Sequence, residues 1–356
     1  MAQGSKELDQ ATAGYVCVRV TDMSKVDLNL IRFDFDLTFA AVLMHTDGTI
    51  YHRYGGRGPD EASGYLSLSS LSQLLRDTVA EHRAYDQNPS PPPDRTPLLA
   101  IDLPILKRKL AGGQRIDCVH CHTINDAEHV DATLGGRWQR DNAYVFPDPE
   151  RVGLSVDQQH QREIREVAKG SAAAKAGLQP GDQLLSLGVQ RSVRTLSDVQ
   201  WALHCAPFAK TPLTARIRRK DQELAIVLDL EDGWKRTPPE QYAWRPYKWN
   251  LSPSPGFGGP MLTPAAKKAL RATARPFMMR VGYLVDWGEN AHRGRAAHAA
   301  GLKKGDIVVG FAGKNDFESF AHLHAWVALT LEAGKPVDIA VLRDGKVKAL
   351  RYALPK

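Results

Sequence analysis

Cysteine is scarce, with 4 in 356 residues, too few for a disulfide-stapled scaffold. Only Cys118 and Cys121 lie close together. Cys17 and Cys205 stand alone in apolar contexts, where a single thiol is expected to pack as a small hydrophobe. No apolar run approaches the ~20 residues of a membrane-spanning helix. The opening residues, MAQGSKELDQATAG, lack the basic start, apolar centre and small-residue cleavage site of an export signal. The chain is therefore expected either to be cytoplasmic or to have lost an upstream segment. Also missing is any G-N-S-G-G-like segment to carry the nucleophile of a trypsin-like protease. The excess of positive charge is modest, 47 Lys and Arg against 40 Asp and Glu. Its densest runs, LKRKL (106–110) and RIRRK (216–220), have no interleaved aromatics and read as solvated faces, so no nucleic-acid partner is expected.

What is present suffices for two or three domains, since 43% of residues are hydrophobic and 24% charged. Residues 1–14 are polar and expected to be a disordered tail. The stretch LTFAAVLMHTDGTIYHRYGG (37–56) predicts two strands about Asp47-Gly48, and 66–82 an amphipathic helix with Leu71, Leu74, Leu75 and Val79 near one face. YVCVRV (15–20) predicts a preceding strand. DQNPSPPPDRTP (86–97) reads as an extended linker. A second irregular stretch, rich in Pro, Trp and Tyr, predicts an ordered bridge over 232–251.

An internal repeat organises the second half. SAAAKAGLQPGDQLLSL (171–187) recurs as RAAHAAGLKKGDIVVGF (295–311). In both, Ala-Gly-Leu is followed two residues later by Gly-Asp and an aliphatic strand. Gly177 and Gly301 suit a left-handed helix end, and the Gly-Asp pairs a tight turn. Each copy continues with an amphipathic helix (195–206 and 319–334) and two strands joined by a charged hairpin (213–230 and 337–354).

The A-G-L-x-x-G-D signature in this order of elements resembles the PDZ domain of bacterial periplasmic proteins, over 150–231 and 252–356. The resemblance implies a small, partly open β-barrel in which a groove between a strand and the second helix takes a peptide as an added strand. A Gly-rich loop captures the C-terminal carboxylate. In the first copy that loop matches Val152, Gly153, Leu154, Ser155 and Val156. In the second it matches Gly256, Phe257, Gly258 and Gly259, with Pro260 beside it removing one backbone donor; the first copy is expected to bind more strongly. Residues 15–85 resemble the closing half of a thioredoxin fold, without an upstream C-x-x-C. Leu37-Thr38 stands where that family has a cis-proline before the strand. The expected fold class is thus a mixed α/β multidomain chain: a partial thioredoxin-like α/β unit, then two PDZ-type small β-barrel domains with helices. By the same resemblance the protein is expected to be extracytoplasmic.

Between them, 98–149 holds C-x-x-C-H: Cys118, Cys121 and His122. The spacing is that of a c-type haem site, with thioethers at both cysteines and His122 as axial ligand. His129 lies on roughly the same helix face, and Met44 or His45 is the distant alternative for a sixth ligand. The same atoms could be a redox dithiol, a disulfide, or a zinc or copper site using His122. Three functions are therefore expected to compete. They are peptide or C-terminus binding beside a redox or haem site, electron transfer by a c-type cytochrome on a PDZ scaffold, and thiol-disulfide exchange.

Overall fold

The computed structural model describes residues 5–37, 39–58, 63–89, 96–116, 118–288 and 290–355. Residues 90–95 of the expected linker and Thr38 of the Leu37-Thr38 pair lie outside them. The chain forms two units, Met1–Thr237 and Pro238–Lys356.

In the first unit the polar start is not a disordered tail. Residues Lys6–Thr12 form helix α1, capped by the Ser5 hydroxyl on the Leu8 N–H, and Ala11 is buried. Strands β1 (Ala41–Met44) and β2 (Ile50–Tyr54) pair antiparallel about the Asp47-Gly48 turn, and helix α2 (Leu68–Asp86) follows. Leu43 and Tyr54 pack with Leu71, Leu74 and Leu75 of α2, as the helical spacing requires.

A thioredoxin-like unit is not shown. Among the described residues, 15–20 pair with no strand, and Val16, Val18 and Val20 are 94%, 79% and 54% exposed. Cys17 is exposed rather than packed. Nor does the front stand apart from the C-x-x-C-H segment. Leu28 and Phe35 share a core with Leu103 and Leu106, which flank and belong to helix α3 (Pro104–Ala111), and with Ile124 and Ala127 of helix α4 (Cys121–Leu134).

The rest of this unit is strand β3 (Leu154–Val156), β4 (Ile164–Val167), the short helix α5 (Ala172–Lys175), β5 (Gln183–Leu187), helix α6 (Leu196–Cys205), and strands β6 (Thr211–Arg219) and β7 (Gln222–Leu230). β3 pairs with β4, and β5, β6 and β7 form an antiparallel sheet. One face of α6, Leu196, Val199, Ala202 and Leu203, closes a core with Leu154, Val156, Leu184 and Ile217. Burying each such Val or Leu contributes roughly 1.5–3 kcal/mol.

The second unit begins with helix α7 (Pro239–Tyr242) and contains β8 (Phe257–Gly258), α8 (Pro264–Ala269), β9 (Met279–Arg280), β10 (Tyr283–Leu284), α9 (Ala291–Ala299), β11 (Ile307–Phe311), α10 (Phe320–Thr330), β12 (Pro336–Arg343) and β13 (Lys346–Ala353). β8 pairs with β10, and a four-stranded sheet runs β13-β12-β11-β9.

The repeat is reproduced hydrogen bond for hydrogen bond. Leu178 and Leu302 donate to the Ala173 and Ala297 carbonyls at 3.1 Å each, and Gly181 and Gly305 to those of Ile164 and Val281 at 2.8 Å each. The Asp of each Gly-Asp pair accepts from the backbone three residues earlier, Asp182 from Gln179 and Asp306 from Lys303. Each is also gripped through two nitrogens by an arginine 37 residues on, Arg219 at 2.7 Å and Arg343 at 2.6 Å. The same arginines reach the carbonyls of Gly177 and Gly301. The basic run 216–220 is thus solvated only in part. Arg216 and Arg218 meet Glu223 on the surface, whereas Arg219 locks a buried turn.

Candidate functional site

The hydrogen bonds of β3 decide which of its edges is free. Ala168 N–H donates to the Gly153 carbonyl and Asp157 N–H to the Glu163 carbonyl, so residues 153 and 157 turn toward β4. Alternation along the strand then turns the backbone groups of Leu154 and Val156 to the opposite edge, beside α6. Gly153 stands at φ +86°, and a Cβ there would lie 2.1 Å from the Ser171 hydroxyl, so only glycine fits. Its own N–H donates to Glu150 at 3.0 Å, closing the 3-10 turn Pro149–Val152. The backbone donor the loop offers outward is therefore that of Leu154. Ser155, Val156, Arg165 and Leu196 line a cleft along this edge together with Gly58 and Tyr65.

Residues from the front of the unit brace the cleft. Gln200 of α6 donates to the Arg57 carbonyl at 3.0 Å, and a Cβ on Gly56 would touch Ser197 and Gln200. Gln161 bridges the two sides, accepting from Leu196 N–H at 3.1 Å and donating to the Tyr65 carbonyl at 2.8 Å. Behind α6, His52 is fully buried between Asp198 at 2.8 Å and Glu81 at 3.0 Å. Burial opposes its charge, but the hydrogen bonds to Asp198 and Glu81 outweigh it and raise its pKa to about 9. Asp198 also accepts from the backbone of Arg53 and Arg194, and the Arg53 guanidinium lies 3.9 Å over the Trp201 ring. These contacts fix α6 against the front of the unit.

Residues 163–216 match the PDZ domain family model. A PDZ domain lies there. The match spans β4 through most of β6 and so includes α6, one wall of the cleft; β3, the other wall, precedes it. No match to the chain is found among curated proteins. The PDZ domain suggests a protein-binding role.

The corresponding residues of the second unit hold the same backbone geometry. Gly256 has φ +74°, and Val285, Gly282 and Arg280 donate to the carbonyls of Gly256, Gly258 and Pro260. Phe257 and Gly259 therefore face the free edge, and the N–H that Pro260 lacks belongs to the side turned toward the partner strands. A Cβ on Gly258 would overlap the Tyr283 side chain and lie 2.8 Å from the Phe320 ring, and Trp249 stacks on Phe320 at 5.5 Å.

Among the described residues the C-x-x-C-H side chains are not grouped with others into a metal-holding cluster. Cys118 and His122 are exposed, Cys121 is half-buried at the first position of α4, and all four cysteines are free. Val119 between them is buried, its N–H on Asp22 at 3.1 Å and its carbonyl accepting from Met23 at 2.8 Å. His120 is extended (φ −106°, ψ 167°). The two thiols thus flank an anchored, extended stretch instead of lying one helical turn apart. Among the described residues no three His, Cys, Asp or Glu side chains are grouped to hold a metal ion. His129 packs edge-on against Trp138. No helix of the described residues is long and apolar enough to cross a membrane.

Sequence reasoning found both glycine loops and both helices that face them. It missed Tyr65, Gln161 and Gln200, which come from separate stretches with no shared pattern. It also missed Arg219 and Arg343, although their recurrence at one spacing from the Gly-Asp pair was a usable signal.

Proposed function

We propose that the chain is a peptide-binding protein whose working site is the free edge of β3 beside α6, and whose ligands are the C-termini of peptides or proteins. The observation that carries this reading is the orientation of Leu154 and Val156. Their backbone groups face away from β4 toward the cleft, the arrangement that an added antiparallel strand requires. The Leu154 N–H, next to the left-handed Gly153, is placed to meet a terminal carboxylate. Ser155 Oγ, at the same cleft, is buried with no hydrogen-bond partner among the described residues. In this reading residues 252–356 are a second PDZ module. The shared Gly-Asp-Arg clamp and the matching loop at Gly256 support it.

A C-terminal peptide library presented to the full chain tests the site. Binders are expected, and amidation of their terminal carboxylate should abolish binding. Gly153→Pro should do the same, since proline cannot adopt positive φ or donate to Glu150. Absence of any carboxylate-dependent binder would sink the reading.

A further inference from the structure

Tyr65 lies across the edge that a ligand must use. Its hydroxyl donates to the Val156 carbonyl at 3.3 Å, and its ring packs on the core of the PDZ unit beside the cleft. It is held there from both sides of the site. Its own carbonyl accepts from Gln161, whose other amide atom is fixed by the first N–H of α6. Two and four residues on, the Ser67 and Ser69 hydroxyls donate to Gln159 at 3.2 Å each.

We infer that Tyr65 sets the length of ligand that the groove admits: only the terminal carboxylate and the last two residues of a free C-terminus, with pairing farther upstream already taken. This rests on the peptide-binding reading above and deepens it. In an antiparallel strand added along β3, backbone pairing falls on alternate residues. With the carboxylate at Leu154, the next outward-facing carbonyl, that of Val156, meets the ligand residue two positions before the end. That carbonyl is the acceptor Tyr65 occupies. A longer peptide gains nothing from its upstream residues unless it displaces a tyrosine fastened at its ring, its hydroxyl and its backbone. The selected partner is therefore a short, freely projecting C-terminal tip.

The test compares N-acetylated two-residue and eight-residue C-terminal peptides of matched end sequence, of which only the longer has a residue to pair with Val156, on the full chain and on Tyr65→Ala. Tyr65→Leu serves as the second variant. It keeps apolar packing, in case alanine unseats the neighbouring turn, but cannot reach Val156. For the unaltered chain the two lengths are expected to bind alike. In the variants the longer peptide should gain about tenfold, the scale of one or two added backbone hydrogen bonds. A gain confined to the variants supports the inference even if the unaltered chain binds only weakly. An equal gain in the unaltered chain, or no gain in either variant while the short peptide binds, overturns it and leaves the groove reading intact. No binding of either length to any of the three proteins overturns both.

Discussion

The two copies of the repeat share a scaffold and differ at the edge that scaffold presents. At β3 the free edge is met from outside, by Tyr65 of a segment far earlier in the chain, and Leu196 at the start of α6 leaves a cleft beside it. At β8 the positions of Ser155 and Val156 are taken by Gly258 and Gly259, and the ring of Phe320, from the start of α10, lies against the strand with Trp249 stacked upon it. Yet the turn that joins helix to strand is clamped by the same Asp–Arg grip in both. The clamp makes the fold, so it is repeated. In the proposed reading the edge makes the contact with a partner, so it is free to diverge.

The largest expected break in this comparison comes from Asp198, which has no counterpart in the described contacts of α10. Asp198→Ala leaves His52 buried beside α6 with one partner fewer and strips acceptors from two backbone N–H groups. Removing one member of a buried pair costs about 3–5 kcal/mol. Urea unfolding followed by hydrogen exchange should show residues 1–237 losing protection at lower denaturant while 238–356 is unchanged. Equal loss in both units would refute the assignment.

Next in size is a difference in pH response. His52 is held at about 9 against an ordinary 6.5, so the folded first unit binds the extra proton. Its contribution is complete below about 6.5 and is lost as pH rises through about 9. In the second unit burial, with the charges of Arg293 and Lys248, pushes His324 down to about 3. Its contribution is complete above about 6.5 and declines as pH falls toward about 3. Protection of the first unit should therefore weaken on the alkaline side and that of the second on the acid side. His52→Gln and His324→Gln should each flatten the matching limb; a limb that keeps its slope in its own variant argues against the origin given.

A smaller effect is expected at the left-handed glycines. Gly153→Ala and Gly256→Ala strain a backbone at positive φ and press a Cβ on Ser171 or on the Arg293 carbonyl, at about 1–3 kcal/mol each. The Ser171 Cβ and the Arg293 carbonyl are both fixed by their backbone and neither can turn aside, so the two substitutions should cost alike by thermal unfolding. A clear difference would show that the two loops are not equivalent. Smallest of all, Glu223→Gln removes a surface partner of Arg216 and Arg218 and should leave the unfolding midpoint unmoved.

Much of the fold was legible because it rests on local rules. Ala-Gly-Leu ending a helix, Gly-Asp opening a strand and Asp47-Gly48 turning a hairpin are requirements of a few consecutive residues, and each is met where the letters placed it. YVCVRV misled for the opposite reason. Its β-branched residues fit a pleated surface, but a strand exists only where a neighbour completes its hydrogen bonds, and none does among the described residues. The C-x-x-C-H spacing likewise fixed only the order of its side chains; the anchoring of Val119 by Asp22 and Met23 set the path between the thiols.

By itself, then, the sequence determined the repeat, the positive-φ glycines and the identity of the helix facing each loop, because these depend on periodicity and on φ. Tertiary structure alone decided which edge of β3 is open and what crosses it. Tyr65, Gln161 and Val156 meet through contacts spanning 91 and 96 residues. No local pattern encodes such a meeting, since it follows from how the front of the unit packs on α6 once both have folded.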